Sequence, residues 1–320
     1  MKVLITGATG LVGNAITKVL QGYDIPVHYL TTNRQKIVSS ENYKGFYWDP
    51  SKGEIDTSSF EGVTSIINLA GASIAKKWTP SYKEKVLSSR IDSLTTLKKG
   101  LEQIDSTNIE HFISASAIGI YPSSQIELCD EKDAGVDDSF LGKVVQKWEE
   151  KTKEFEAFSF NLAILRIGIV LSKEGGALPK MAKPIKNFVG AAMGSGEQWQ
   201  SWIHIDDLAE MFVFAITNGL KGTYNAVAPN PVTNAKLTKE LAKVLKRPLF
   251  LPNIPEFIMK MVLGEMSYLL FASQRVCSKR IEKKGFVFQY PNVGPALENI
   301  YGLRSSKSGA SVASFDKEYV

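Results

Sequence analysis

Apolar residues in the first half of the chain fall into short, almost unbroken runs, separated by longer stretches in which they return every three or four positions. The first run, 3–6, ends in a glycine cluster and is followed by a helix-like stretch, 14–21, and a second run, 27–30, which reads as β-α-β. Further strand-like runs stand at 65–69, 111–114 and 162–167, with helical stretches at 83–101 and 142–155 between them. Strands alternating with helices predict an α/β fold, a Rossmann-type doubly wound parallel sheet. After about Ser172 the pattern changes to segments punctuated by Gly175-Gly176, Gly194-Ser195-Gly196 and Pro229-Asn230-Pro231. The expected organisation is a Rossmann domain over 1–171, its sheet completed by parts of 201–228, and a smaller substrate-facing subdomain over 172–303. Residues 304–320, rich in Ser and small side chains, are expected to pack weakly or remain disordered. The apolar segment 257–272 is broken by Lys260, Gly264 and Glu265; it is too short and polar to span a bilayer and reads as an amphipathic helix presenting a packing surface.

Composition narrows the function classes. The 38 Lys and Arg against 33 Asp and Glu leave +5, scattered along the chain rather than gathered in a block, so a nucleic-acid partner is not expected. Only Cys129 and Cys277 are present, without metal-ligand spacing or a C-x-x-C pair, so neither a metal site nor a disulfide framework is expected. The opening residues lack the pattern of a signal peptide. These features together predict a cytoplasmic location and no membrane partner.

The glycine cluster carries the first chemistry. Gly7, Gly10 and Gly13, with Thr9, Leu11 and Val12 between them, form G-x-x-G-x-x-G between the first strand and first helix. Glycines there permit a tight turn and close approach of backbone to a pyrophosphate, while the helix N-terminus offers free N–H groups to phosphate oxygens. A dinucleotide is therefore the expected ligand. An acidic side chain at the end of the second strand would pair with ribose hydroxyls and repel a 2′-phosphate. Here the residues are Thr31, Thr32, Asn33 and Arg34, so NADP(H) is favoured, with NAD(H) as the alternative.

Several ordered motifs extend the argument: Asn68-Leu69-Ala70-Gly71, Ser88-Ser89-Arg90-Ile91, Ser114-Ala115-Ser116-Ala117, Gly194-Ser195-Gly196, Trp202-Ile203-His204, the run 228–234 that opens Ala-Pro-Asn-Pro, and Ser273-Gln274-Arg275-Val276. Through these the chain resembles the extended short-chain dehydrogenases/reductases of the NAD(P)-dependent epimerase/dehydratase family, and within it an atypical YfcH-like subgroup. The resemblance implies that Asp49 binds the adenine amino group and that Leu69, Ala70 and Gly71 carry backbone past the cofactor. It also places Ser114 at the site and Arg90 where more typical relatives have an active-site Asn, with Lys85 five positions earlier on the same helix. A guanidinium at 90 is suited to clamping phosphate.

Typical relatives pair a Ser with Tyr-x-x-x-Lys, in which the phenol transfers a proton and the lysine lowers its pKa. Ser116 matches the Ser. Leu141 and Val145 occupy the Tyr and Lys positions, and neither can titrate. Tyr121, following Ser116 on a loop, is the nearest phenol and becomes the candidate proton-transfer group. His204 is chemically able to act as a base, but the resemblance suggests a satisfied structural histidine, with Asp206 or Asp207 capping the next helix. The expected function is an oxidoreductase or epimerase on a small carbonyl or sugar-type substrate; the alternative is a non-catalytic NADP(H)-binding regulatory or sensor protein. Relatives of this kind often dimerise, so a homodimer is a further expectation.

Overall fold

In the computed structural model, which describes residues 1–133 and 135–302, seven parallel strands build one twisted sheet. They are β1 (Val3–Thr6), β2 (Val27–Thr31), β3 (Tyr43–Asp49), β4 (Ser65–Asn68), β5 (His111–Ala117), β6 (Asn161–Ile167) and β7 (Gly222–Ala226). Their spatial order is β7-β6-β5-β4-β1-β2-β3, with Ser39–Ser40 and Glu54–Ile55 added antiparallel to β3. Every residue of β1, β2 and β4 is buried, because helices cover both faces of the sheet, and this is why these strands read as mainly apolar runs without alternation.

Helices of eight or more residues are α1 (Leu11–Gly22), α2 (Pro80–Leu101), α3 (Phe140–Lys153), α4 (Leu178–Lys186), α5 (Ile205–Thr217), α6 (Asn234–Val244), α7 (Glu256–Leu263) and α8 (Val293–Ile300). Their starts follow from side-chain caps. Thr79 accepts the Tyr82 N–H ahead of α2, Ser139 accepts that of Gly142 ahead of α3, and Thr233 accepts that of Lys236 ahead of α6. The main core lies between the sheet and its helices. A second core joins Leu178, Ala182, Trp202, Leu237, Leu241 and Leu297 under α4, α6 and α8.

Two features depart from the sequence pattern. Strand β3 was not anticipated, although it adds the outer parallel position of the sheet. The segment 257–272 is no continuous packing helix: α7 ends at Gly264, whose φ of 58° halts it, and is followed by a 3-10 turn and the single turn Tyr268–Phe271. No residue of α7 is buried, so its expected packing role does not hold. The expected C-terminal tail, 304–320, lies outside the described residues.

Candidate functional site

The chain runs β1-α1-β2 to one side of β1 and returns at β4 on the other, so the carboxyl ends of β1 and β4 flank a topological switch point, where ligands of open α/β sheets bind. The loop leaving β1 has the geometry expected of its glycines. Gly7 adopts φ of +74°, a left-handed conformation, and a Cβ there would lie 3.2 Å from the Leu69 backbone. A Cβ on Gly13 would fall 2.3 Å from the Gly7 carbonyl oxygen, so only glycine lets α1 start this close to the loop. Gly10 caps α1 without a side chain; its position is exposed, as is Thr9, while Leu11 and Val12 are half-buried. The opening turn of α1 contains no carboxylate to compete with a phosphate.

A buried hydroxyl–amide chain supports the floor of this loop. Thr6 donates its hydroxyl to Asn68 Oδ1 at 2.8 Å and accepts the backbone N–H groups of Leu69 and Ala70 at 3.0 and 3.1 Å. Asn68 Nδ2 in turn donates to Ser114 Oγ at 3.1 Å. Ser114 is fully buried and, through Asn68, supports the 68–70 turn. Thr6 escaped the sequence reading because it looks like an ordinary strand residue, and Asn68 entered it only as the first residue of the 68–71 motif. Leu69 and Ala70 are half-buried and Gly71 is exposed, leaving their backbone beside the switch point.

At the end of β2, Thr31 is buried and its Oγ1 accepts the Asn33 N–H, while Asn33 Oδ1 accepts that of Gln35. This turn leaves Thr32 and Arg34 exposed, and the Arg34 guanidinium lies 3.7 Å from the centre of the Tyr47 ring on β3. Asp49 stands at the carboxyl end of β3, but its Oδ1 accepts from the N–H and hydroxyl of Ser51 and its Oδ2 pairs with Lys52 at 3.5 Å. These contacts, led by the Ser51 hydroxyl, hold its carboxyl below the usual range.

Arg90, on α2, reaches the loop that follows β4. Its Nη1 donates to the carbonyls of Val86 at 2.7 Å and Ala72 at 3.2 Å, and its guanidinium lies 4.9 Å over the Trp148 ring. A Cβ on Gly71 would meet it at 3.1 Å. Burial pulls its pKa down to about 10, which still leaves it charged at neutral pH. Among the described residues no carboxylate pairs with it. A largely buried cation without a counter-charge is costly unless an anion arrives. Lys85 is exposed on the same helix, and five positions place it about 140° around the axis from Arg90, so the two do not form one clamp.

The expected catalytic hydroxyls are enclosed by the protein. Tyr121 is 0% and Ser116 3% exposed, and both belong to a buried polar network. Ser116 donates to Glu149 Oε1 at 2.6 Å, and Arg166 donates to the same carboxylate through Nε and Nη2, both at 2.8 Å. Arg166 Nη1 also donates to the Tyr121 hydroxyl at 2.9 Å, which donates to Asn225 Oδ1 at 2.7 Å. Burial pushes the Tyr121 phenol up to about 12, against the pull of Arg166. Both hydroxyls are thus buried and bonded within the protein, where they join α3 to the sheet. Leu141 and Val145 are buried as well, each 4.0 Å from where a Cβ on Gly119 would stand.

His204 is a structural residue. Its Nδ1 accepts the Asp206 N–H at 3.1 Å, so His204, rather than Asp206 or Asp207, caps α5. Its ring lies 4.0 Å from that of Tyr290, and burial lowers its pKa, keeping the imidazole neutral. Asp207 instead accepts the N–H groups of Gln289 and Tyr290 at 2.8 and 3.0 Å, pinning the C-terminal segment to the start of α5.

Comparison with known proteins agrees with this geometry. The model of the NAD dependent epimerase/dehydratase family matches residues 3–226, and that of a domain of unknown function, DUF1731, matches 254–300. The epimerase family protein YfhF of Bacillus subtilis is 35% identical over 309 residues, covering 96% of this chain and 100% of the relative. The chloroplastic homolog of epimerase family protein SDR39U1 from Arabidopsis thaliana is 34% identical, covering 94% and 86%. Among solved structures, human epimerase family protein SDR39U1 with NADPH superposes at a TM-score of 0.81 with 26% identity, covering 94% of this chain and 99% of that one. UDP-glucose 4-epimerase of Thermus thermophilus, at 15% identity and a TM-score of 0.71, shares the fold.

Proposed function

Because the chain belongs to the NAD dependent epimerase/dehydratase family, we infer that it binds NADP(H) across the carboxyl ends of β1 and β4 and exchanges hydride with a small carbonyl or sugar-type substrate. The observation that carries the reading is the glycine-lined cradle at the start of α1, beside a half-buried guanidinium that, among the described residues, has no carboxylate partner. Gly7, Gly10 and Gly13 would admit the pyrophosphate to the N–H groups of α1, and Arg90 would supply a cation further in. Thr32 and Arg34 would meet the adenine ribose, where the plate of Arg34 on Tyr47 is suited to a 2′-phosphate. The NADPH in the human relative's structure supports this choice of cofactor. The bound nicotinamide would supply the hydride chemistry; the chain's part is to bind and orient.

A second reading, a non-catalytic NADP(H) sensor, is favoured by one specific observation: Ser116 and Tyr121 spend their hydroxyls inside the protein, and Leu141 and Val145 replace the titrating pair. Titration with NADPH and NADH, followed by a turnover screen on carbonyl compounds and nucleotide sugars, tests both. Tighter binding of NADPH, with Arg34→Ala weakening NADPH about ten- to a hundredfold and sparing NADH, is the expected result. Equal affinities for the two cofactors would remove the assignment of Arg34, and tight NADPH binding without turnover on any substrate would favour the sensor.

A further inference from the structure

The segments that join α4, α6 and α7 leave large apolar side chains in water. Phe250 is 70%, Phe257 65%, Met261 79% and Val262 70% exposed, with Leu251 and Ile258 beside them. Phe257 and Met261 are four positions apart on α7, as are Ile258 and Val262, so the helix presents a broad apolar face. This face continues onto the loop after α4. Ile254 exchanges backbone hydrogen bonds with Ala192 and Gly194, both at 2.8 Å, and Arg247 lies 4.9 Å over the ring of Phe188, itself exposed together with Val189. Monomeric proteins rarely leave so much contiguous apolar surface bare.

Charge tells what covers it. Lys183 and Lys186 on α4 and Lys243, Lys246 and Arg247 at the end of α6 are all exposed on the elements that carry the apolar residues. Residues 177–195 and 241–255 contain no Asp or Glu, and Glu256 is taken up by Lys260 at 2.8 Å. A second copy fits this surface poorly, because a two-fold contact sets the same patch against itself and opposes cation to cation. An anionic lipid surface fits both features: headgroups neutralise the rim while the aromatic and aliphatic side chains enter the acyl boundary.

We propose that this face of α4, α6 and α7 docks the protein peripherally on anionic membranes, with Phe250, Phe257 and Met261 inserted and the Lys/Arg rim at the headgroups. The attachment departs from the expectation of no membrane partner. It is a surface attachment: among the described residues no helix is long and apolar enough to cross a bilayer. It is independent of the cofactor site, so NADPH affinity serves as the folding control.

Sedimentation of the full chain with phosphatidylcholine vesicles, with and without phosphatidylglycerol, tests it. The protein is expected to sediment with the anionic vesicles, to remain in the supernatant with pure phosphatidylcholine, and to be released by high salt. Phe257→Asp/Met261→Asp should abolish sedimentation, and Lys246→Glu/Arg247→Glu should weaken it about tenfold or more, both with NADPH binding retained. Failure to sediment with anionic vesicles would overturn the proposal, as would retention by the Phe257→Asp/Met261→Asp variant. So would a lipid-free dimer that this variant dissociates, which would give the face to a second copy.

Discussion

Glu149→Leu isolates the network that holds α3 against the sheet. The carboxylate accepts three hydrogen bonds, one from Ser116 and two from Arg166, and only 5% of the Glu149 side chain and 10% of the Arg166 side chain meets solvent. Burial by itself would lower the Arg166 pKa, yet Glu149 and Tyr121 push it above the ordinary guanidinium value, so this cation cannot neutralise itself by losing a proton. Removing the carboxylate leaves a buried charge with a single hydroxyl for a partner. Breaking such a pair costs about 3–5 kcal/mol. At roughly 2–4 °C per kcal/mol for a chain of this size, Tm should fall by about 10 °C. The double variant Glu149→Leu/Arg166→Met removes both charges and should recover much of the loss, because apolar replacement of a whole buried pair is often close to neutral. Differential scanning calorimetry of the wild type, both single variants and the double variant gives the coupling. A Tm loss below about 2 °C for Glu149→Leu, or a double variant as damaged as the sum of the singles, would refute the claim that the pair is buried and interdependent.

Other expectations follow from the same contacts. Tyr121→Phe deletes a hydroxyl that accepts from Arg166 and donates to Asn225, so it should cost about 1–3 kcal/mol in denaturant unfolding and leave NADPH affinity unchanged. A selective loss of turnover at unchanged stability would instead return Tyr121 to catalysis. Gly10→Val places a branched side chain on the exposed turn where the pyrophosphate is expected, and should abolish cofactor binding in calorimetric titration while the protein stays folded. Asp207 has its pKa raised to about 6, chiefly by burial, so the folded state binds the proton more tightly than the unfolded state. Its contribution to stability is therefore fullest below pH of about 4 and is lost as pH rises through about 6; in Asp207→Asn that falling component should vanish from the stability profile, and an unchanged profile would refute it.

What the sequence made legible was short in range. The glycine loop announces itself because Gly7, Gly10 and Gly13 follow one another at three-residue spacing, directly after a fully buried strand. Strand β3 was hidden by Gly45 in its middle, which looks like a loop signal; in the structure a Cβ there would lie 2.4 Å from the Tyr29 ring, so the glycine marks close approach between neighbouring strands. The polar network was hidden because it draws Ser116, Glu149, Arg166 and Asn225 from four different elements. A signal did exist: Arg166 interrupts the otherwise apolar run of β6, and an arginine inside a buried strand requires a carboxylate somewhere in the fold. No local pattern says which one.

The same network explains how the fold keeps its shape where the usual Tyr and Lys are gone. At that point α3 faces the 118–120 turn with Leu141 and Val145, and Ile118, Ile120, Val145 and Val227 form one apolar cluster with Tyr121. A titrating pair would have to be desolvated inside that cluster, where a lysine loses its charge readily and a phenol keeps its proton. Apolar residues suit the place better. One turn further along α3, Glu149 takes over the polar link to β5 and β6 through Ser116 and Arg166. The helix that carries catalysis in more typical relatives is here fastened from beneath by a charge pair and packed above by aliphatic side chains. Arg90, approaching from α2 with its guanidinium over Trp148 of α3, then borders both this helix and Gly71, and under the proposed NADP(H) reading chemistry beside it would be built around a cation.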